Sequence, residues 1–374
     1  MDLAYLVHSN NELKSLCTKL KTSRYLALDT EFERSRTFFV RPALVQMSDG
    51  KSTYLLDPLN IDNWIPFIRL LNDSNITKIL HSASEDLDVF ERLGGSPPAN
   101  LFDTQIAASM LGYGYSISYR ALVRKLFDVD LPKSETRSNW LRRPLSRAQL
   151  DYARMDVDYL PSIYDRLNMN LHNRGRKEWI REEYSRLVNR HRDNQNVELA
   201  YCRIGRNTRL GRRASGVLRA VAAWREHEAK KRDCPRNYVV RDNQLLKIAK
   251  SLPTSLEELE KSLGDGVTLP GGDRTVIVRI VNRVLELDDT QLPNPHVTSG
   301  DLREHGQTIK NLRDVVTKTA QSFEIAPELL AHRRALEDLV REVLVKNRRH
   351  LTDYFGGWRA SVVGERLLEL LLSS

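Results

Sequence analysis

The sequence predicts an α/β domain, a mixed sheet with an antiparallel meander flanked by helices, followed by all-α helical domains. Two observations carry that reading. Over the first third of the chain, β-rich runs give way to alternating helical and strand patterns, as in a sheet covered by helices. From about residue 210 onward only helical periodicity remains. The length of 374 residues agrees, because single hydrophobic cores seldom grow much past about 250 residues.

Taken in order, a short helix is expected over 11–22, then strands over 25–32, 43–48 and 53–57. Their short links make an antiparallel meander. A helix over 64–71, a strand over 77–80 and a helix over 85–93 follow. Further helical patterns at 103–111, 119–126 and 147–173 complete a first domain spanning 1–190. In the helical half, turn signals fall at Pro253 and at Pro270 to Asp273. The stretch 292–299, with two prolines, an Asn and a Ser, is the expected linker between helical domains at 211–291 and 300–374.

Composition narrows the function classes. Apolar residues make up 41% and charged residues 29%, ordinary values for a globular chain. The net charge of +9 is concentrated: residues 201–250 hold 14 Lys or Arg against 4 Asp or Glu. Such a block suggests a polyanionic partner. No window reaches the roughly 18 apolar residues of a membrane span, and the first residues do not read as a signal peptide, so a cytoplasmic address is expected. Cys17, Cys202 and Cys234 show no metal-ligand spacing and read as reduced thiols. Gly112-Tyr113-Gly114 is a lone G-x-G without the context of a nucleotide-binding loop.

Three segments carry chemistry. In Leu26-Ala27-Leu28-Asp29-Thr30-Glu31-Phe32, a β pattern puts Asp29 and Glu31 on one face, with carboxylates about 7 Å apart. The apolar neighbours argue for burial, and buried paired carboxylates need cations. In the second segment Ser82 or Ser84 is expected to cap a helix whose first turns carry Glu85, Asp86 and Asp88, which also suits the helix dipole without any catalysis. In the third, Tyr152 and Asp156 are four apart and share a helix face. Each segment alone has a structural explanation. Their order is the informative feature.

Together they resemble the three motifs of the DEDD exonuclease superfamily, Tyr-containing branch. Asp29 and Glu31 match its D-x-E, Asp86 its second acid, and Tyr152 with Asp156 its Y-x-x-x-D. Position 151 is Asp, where the other branch has His. The likeness extends through Leu101-Phe102-Asp103-Thr104-Gln105 and Lys133 to Trp140, and over the helical half, so that nearly the whole chain resembles the ribonuclease D family. Residues 211–290, notably Trp224, Arg225, Arg232, Asp233, Pro235 and Val239 to Asp242, resemble an HRDC domain, a small nucleic-acid-binding module. Residues 300–374 resemble a second, divergent copy.

The resemblance implies a ribonuclease H-like first domain and a 3′ to 5′ exoribonuclease. Its expected substrate is RNA with a free 3′ end, with tRNA precursors foremost, and no obligate protein partner or membrane is implied. Asp29, Glu31 and Asp156 would hold one divalent ion, Asp29 and Asp86 would contribute to a second, and Tyr152 would position the water. Oxygen-only ligands favour Mg²⁺ or Mn²⁺ over Zn²⁺. Arg219, Arg225, Lys230, Lys231, Arg232, Arg236 and Arg241 would form a phosphate-binding patch. His81 is expected to be structural, with substrate contact as the alternative. Phe32 is expected in the core, with base stacking as the alternative. Two rival functions remain at this point: a DNA-trimming exonuclease of proofreading type and a non-catalytic nucleic-acid-binding scaffold.

Overall fold

A computed structural model describes residues 4–132, 135, 138–204, 208–264, 269–293, 302 and 304–373. Most of the expected linker over 292–299 and half of the segment from Lys133 to Trp140 lie outside the described residues. The chain packs into two compact units. The first comprises Met1–Glu33, Val40–Val188 and Gln307–Ser374, and the second comprises Arg34–Phe39 and Asn189–Gly306. Residues 307–374, expected as a further helical domain, thus lie in the same unit as the sheet.

The first unit is built on a six-stranded sheet of order β1-β4-β3-β2-β5-β6. Its strands are β1 (Tyr5–Val7), β2 (Tyr25–Glu33), β3 (Arg41–Ser48), β4 (Thr53–Leu56), β5 (Thr77–Leu80) and β6 (Leu101–Asp103). β2, β3 and β4 form the expected antiparallel meander, while β1–β4, β2–β5 and β5–β6 pair in parallel. The sheet is therefore mixed. β1 and β6 escaped the sequence reading because three residues are too few to display a period of two.

One face of the sheet packs Leu26, Leu28, Val45, Met47 and Leu56 against α1 (Asn10–Leu20), α2 (Ile65–Leu71) and α3 (Asp86–Arg92). α4 (Thr104–Met110) and α5 (Tyr119–Phe127) follow β6. The opposite face packs Ala43, Leu44 and Leu55 against Ala153 of α6 (Arg147–Asp158) and against Trp140. Since strand side chains alternate, the core role of Leu26 and Leu28 sends Asp29 and Glu31 to the α6 side.

The pattern over 147–173 resolves into two helices, α6 and α7 (Leu160–Asn173), which part at Tyr159. Pro161 explains the break: it suits a helix's first turn, where its missing N–H is not needed, and would disrupt an interior. Ser146 starts α6 with a reciprocal capping box to Gln149. α8 (Lys177–Gln195), not anticipated from the sequence, is a largely polar helix whose Tyr184 and Leu187 are buried. The C-terminal helices of the first unit are α14 (Gly306–Phe323), α15 (Pro327–Leu330), α16 (Arg333–Val340) and α17 (Glu365–Leu372), and the ring of Phe323 at the end of α14 lies 6.0 Å from the Trp179 ring of α8. Trp179 stacks on Trp358 at 4.9 Å between ring centroids.

The second unit is helical: α9 (Arg212–Arg232), α10 (Arg236–Val239), α11 (Asp242–Ser251), α12 (Leu256–Leu263) and α13 (Gly271–Leu285). Its core joins Val217, Leu218 and Val221 of α9 to Leu245, Ile248, Leu259, Ile277 and Val281. Phe38, from the segment joining β2 to β3, is buried in this same core. Among the described residues no helix is long and apolar enough to cross a membrane.

Candidate active site

The centre of β2 carries Asp29 opposite Gln46 of β3, and Gln46 Nε2 donates to Asp29 Oδ2 at 3.4 Å. Glu31 follows on the same face. Immediately beyond it the β2–β3 register shifts between Glu31 and Phe32, a bulge that ends regular pairing beside the acids. Phe32, expected in the core, is partly exposed.

From the covering helix, α6 brings Asp156 to the strand. One carboxylate oxygen from each of Asp29, Glu31 and Asp156 falls within 4.8 Å of the others. Tyr152, one turn earlier on α6, donates a hydrogen bond to Asp156, and its ring packs 5.9 Å from that of Trp140. Asp86, first residue of α3, is buried and accepts a hydrogen bond from Thr30 Oγ1 at 2.5 Å. Thr30 alternates between the two acids of β2, so its hydroxyl points to the other face, toward α3.

The electrostatics follow from crowding. Burial, then the charges of Asp156, Asp86 and Glu31, hold the Asp29 carboxyl well above the usual range. Glu31 is pushed up to about 9 by burial and by Asp156 and Asp86. Asp156 and Asp86 each rise to about 7, mainly through burial, against the lowering hydrogen bonds from Tyr152 and Thr30. The charge of Asp86 is felt at both Asp29 and Glu31. Four carboxyls raised together form a set that protons or cations must neutralise. Their donor set is entirely oxygen, which fits a hard divalent cation. The cluster is compatible with metal binding on those grounds.

His81 serves the fold. Its Nε2 donates to the Ile117 carbonyl at 2.9 Å and its Nδ1 lies 2.8 Å from Thr104 Oγ1. Burial lowers its pKa and favours the neutral ring. The expected serine cap before α3 is not formed: Glu85 is the cap residue, and it makes no side-chain capping bond. The N–H groups of Ser82 and Ala83 instead donate to Asp103, at the end of β6. Sequence reasoning missed Thr30, Gln46 and Asp103. Alternation could have placed Thr30, but nothing local pairs it with a residue 56 positions away.

Comparison with known proteins bears on this geometry. Residues 5–172 match the 3′-5′ exonuclease family model, 214–268 the HRDC domain, and 304–367 the ribonuclease D C-terminal HRDC domain. The chain is 36% identical to ribonuclease D of Pseudomonas paraeruginosa over 98% of its own length and 97% of the relative's. With ribonuclease D of Escherichia coli it shares 34% identity, covering 98% of each chain. The chain belongs to the ribonuclease D family. The crystal structure of Escherichia coli RNase D, described as an exoribonuclease involved in structured RNA processing, superposes with a TM-score of 0.85 at 33% identity, covering 100% of this chain and 99% of that one.

Within this ribonuclease D fold, the structure redistributes the seven basic residues of the expected patch. Arg225 is 3% exposed and spent on the Val240 carbonyl at 2.9 Å and on Asp242 at 2.6 Å. A buried, paired guanidinium cannot reach a phosphate, so Arg225 leaves the patch. Arg232 grips Asp273 through both Nη atoms, at 2.9 and 2.6 Å, and also meets Glu228. Arg236 pairs with Glu226 at 2.6 Å and lies over the Phe38 ring, which Lys230 also approaches. Arg219 donates to the Gln291 carbonyl at 3.3 Å. Lys231 and Arg241 remain exposed to solvent.

Proposed function

We propose that this protein is a 3′ to 5′ exoribonuclease that removes nucleotides one at a time as 5′-nucleoside monophosphates, with tRNA precursors among its substrates. The observation that carries the reading is the convergence of Asp29, Glu31 and Asp156 oxygens within 4.8 Å, with Asp86 and Tyr152 beside them. Family membership supplies the reaction class, and the crowded carboxylates supply a place for it.

Asp29, Glu31 and Asp156 would hold one Mg²⁺ or Mn²⁺, and Asp29 with Asp86 a second. When bound, such ions activate water at neutral pH and offset charge on the entering and departing oxygens of the phosphodiester. The chain's own groups do the rest. Tyr152 stays protonated, because burial and the charges of Asp156, Glu31 and Asp29 raise its pKa. A neutral phenol is no general base, so its role is to orient the attacking water by hydrogen bonding. Gln46 and Thr30 hold Asp29 and Asp86 against rotation, keeping the acids converged.

The test is incubation of the full chain and Mg²⁺ with 3′-labelled and 5′-labelled RNA and DNA of identical sequence. Early release of the 3′ label as mononucleotide, with RNA preferred, is expected. Release from the 5′ end, or equal turnover of DNA, would overturn polarity or sugar preference respectively. Asp29→Asn should abolish hydrolysis while the circular dichroism spectrum is unchanged.

A further inference from the structure

The stretch from Leu101 to Gln105 has no part in the chemistry above, yet it carries a buried carboxylate, that of Asp103. Asp103 ends β6, where it pairs in register with Leu80, the last residue of β5. It is 2% exposed. Its carboxylate accepts four main-chain hydrogen bonds. Oδ1 takes Gln105 N at 2.8 Å and Ile106 N at 3.2 Å, which caps α4, and Ser82 N at 3.2 Å. Oδ2 takes Ala83 N at 2.9 Å.

The last two bonds fall on an unusual piece of backbone. Ser82 has φ of +65°, a left-handed conformation disfavoured for a residue with a side chain. That kink turns the chain from β5 into α3, and the Ala83 carbonyl then accepts from Leu87 N in the first turn of the helix. Asp86 is the residue that α3 delivers to the carboxylate cluster. The helix has no side-chain cap of its own, so the main chain before it depends on Asp103 for its hydrogen bonds. Tyr184 Oη steadies the clamp from behind by donating to the Asp103 carbonyl at 3.3 Å.

We propose that Asp103 is a positioning residue for the metal site, setting the β5–α3 turn that holds Asp86 against Thr30 beside the other acids. The inference rests on the metal-dependent reading above. Asp103 is not itself a ligand, since both of its oxygens are engaged by N–H donors. The requirement for Asp at this position is chemical. Four converging donors need an acceptor-only group, and the Asn amide would set its own N–H₂ against one of them. Groups that orient a metal ligand through hydrogen bonds typically govern metal affinity by about 10- to 100-fold when lost.

Three full-length variants test this. Asp103→Asn and Asp103→Ser keep an acceptor for the α4 cap, but neither can clamp Ser82 and Ala83 as well. Leu16→Ala truncates a buried side chain of α1 that takes no part in these hydrogen bonds and serves as a control for general destabilisation. Mn²⁺ binding is read by electron paramagnetic resonance, and thermal unfolding is followed in parallel. Both Asp103 variants should fold and bind Mn²⁺ about 10- to 100-fold more weakly, with nuclease activity recovering as Mn²⁺ is raised. Leu16→Ala should keep wild-type Mn²⁺ affinity. Unchanged affinity in a folded Asp103 variant would overturn the proposal, as would equal weakening in Leu16→Ala. Failure of both Asp103 variants to fold would also count against it, by making the residue structural. Wild-type protein that binds no Mn²⁺ would instead sink the metal-dependent reading.

Discussion

Arg359 and Glu183 form a buried ion pair, 2.9 Å between Nη2 and Oε2, that joins the C-terminal helices to α8 inside the first unit. The pair is well satisfied. Arg359 also donates to the Leu329 and Leu330 carbonyls, Glu183 also accepts the Trp358 indole N–H at 2.8 Å, and the neighbouring Glu182 accepts Trp358 N. Charges removed from water cost little only when paired and hydrogen-bonded, so losing one partner strands the other.

Arg359→Met should therefore destabilise the first unit by about 3–5 kcal/mol. Chemical denaturation followed by tryptophan fluorescence would measure it, Trp179 and Trp358 being stacked at the junction. A loss below about 1 kcal/mol, the range of exposed pairs, would show that the contact contributes little. Deleting residues 307–374 should likewise leave the sheet domain marginal.

The carboxylate cluster predicts an inverted response to pH in metal-free protein. Glu31 near 9 and Asp86 and Asp156 near 7 all stand above their unfolded values of about 4. Between about pH 4 and 9 the folded state then binds more protons than the unfolded state, and stability falls as pH rises. In EDTA the Tm at pH 8 should lie below that at pH 5.5, and added Mg²⁺ should raise it more at pH 8. A Tm that is flat or rising over this range in EDTA would contradict the proposed crowding.

Tyr152→Phe removes one hydroxyl and keeps the ring against Trp140. With its water-orienting role lost, kcat on a short RNA should drop about 10²-fold while Mn²⁺ affinity stays near wild type. A parallel loss of metal affinity would mean that the hydroxyl acts only by holding Asp156.

Of the seven basic residues expected to form a phosphate patch, Lys231 and Arg241 are the ones that stay exposed to solvent. Charge reversal of both should weaken binding of a long RNA and flatten its salt dependence by about two counterions. Arg225→Ala should instead lower the Tm, because it strips the partner from the Val240 carbonyl and Asp242. Binding assays on folded Arg225→Ala protein that matched the double reversal would return Arg225 to the interface.

Thiol reactivity separates the cysteines. Burial pushes Cys17 up to about 12, and it is 2% exposed, whereas Cys202 is exposed. Ellman's reagent at pH 8 should modify Cys202 in the native protein and spare Cys17 until denaturant is added. Fast labelling of Cys17 would reveal opening of the helix α1 layer.

The sequence by itself determined the family and the meander, and it singled out the five residues proposed for the site. These are encoded locally, by a period of two in β2, a spacing of four in α6, and the order of three short motifs. It also determined where apolar faces lie, and with them the side of the sheet to which Asp29 and Glu31 point. Only the tertiary structure decided which partners those residues meet: Thr30 on Asp86, Asp103 on the turn before α3, and Arg359 on Glu183. The same holds for the basic block, where counting charges could not tell exposed Lys231 from buried Arg225. The physical reason is range. Strand and helix periods arise between near neighbours along the chain, whereas a buried hydrogen bond or ion pair depends on groups that only packing brings together.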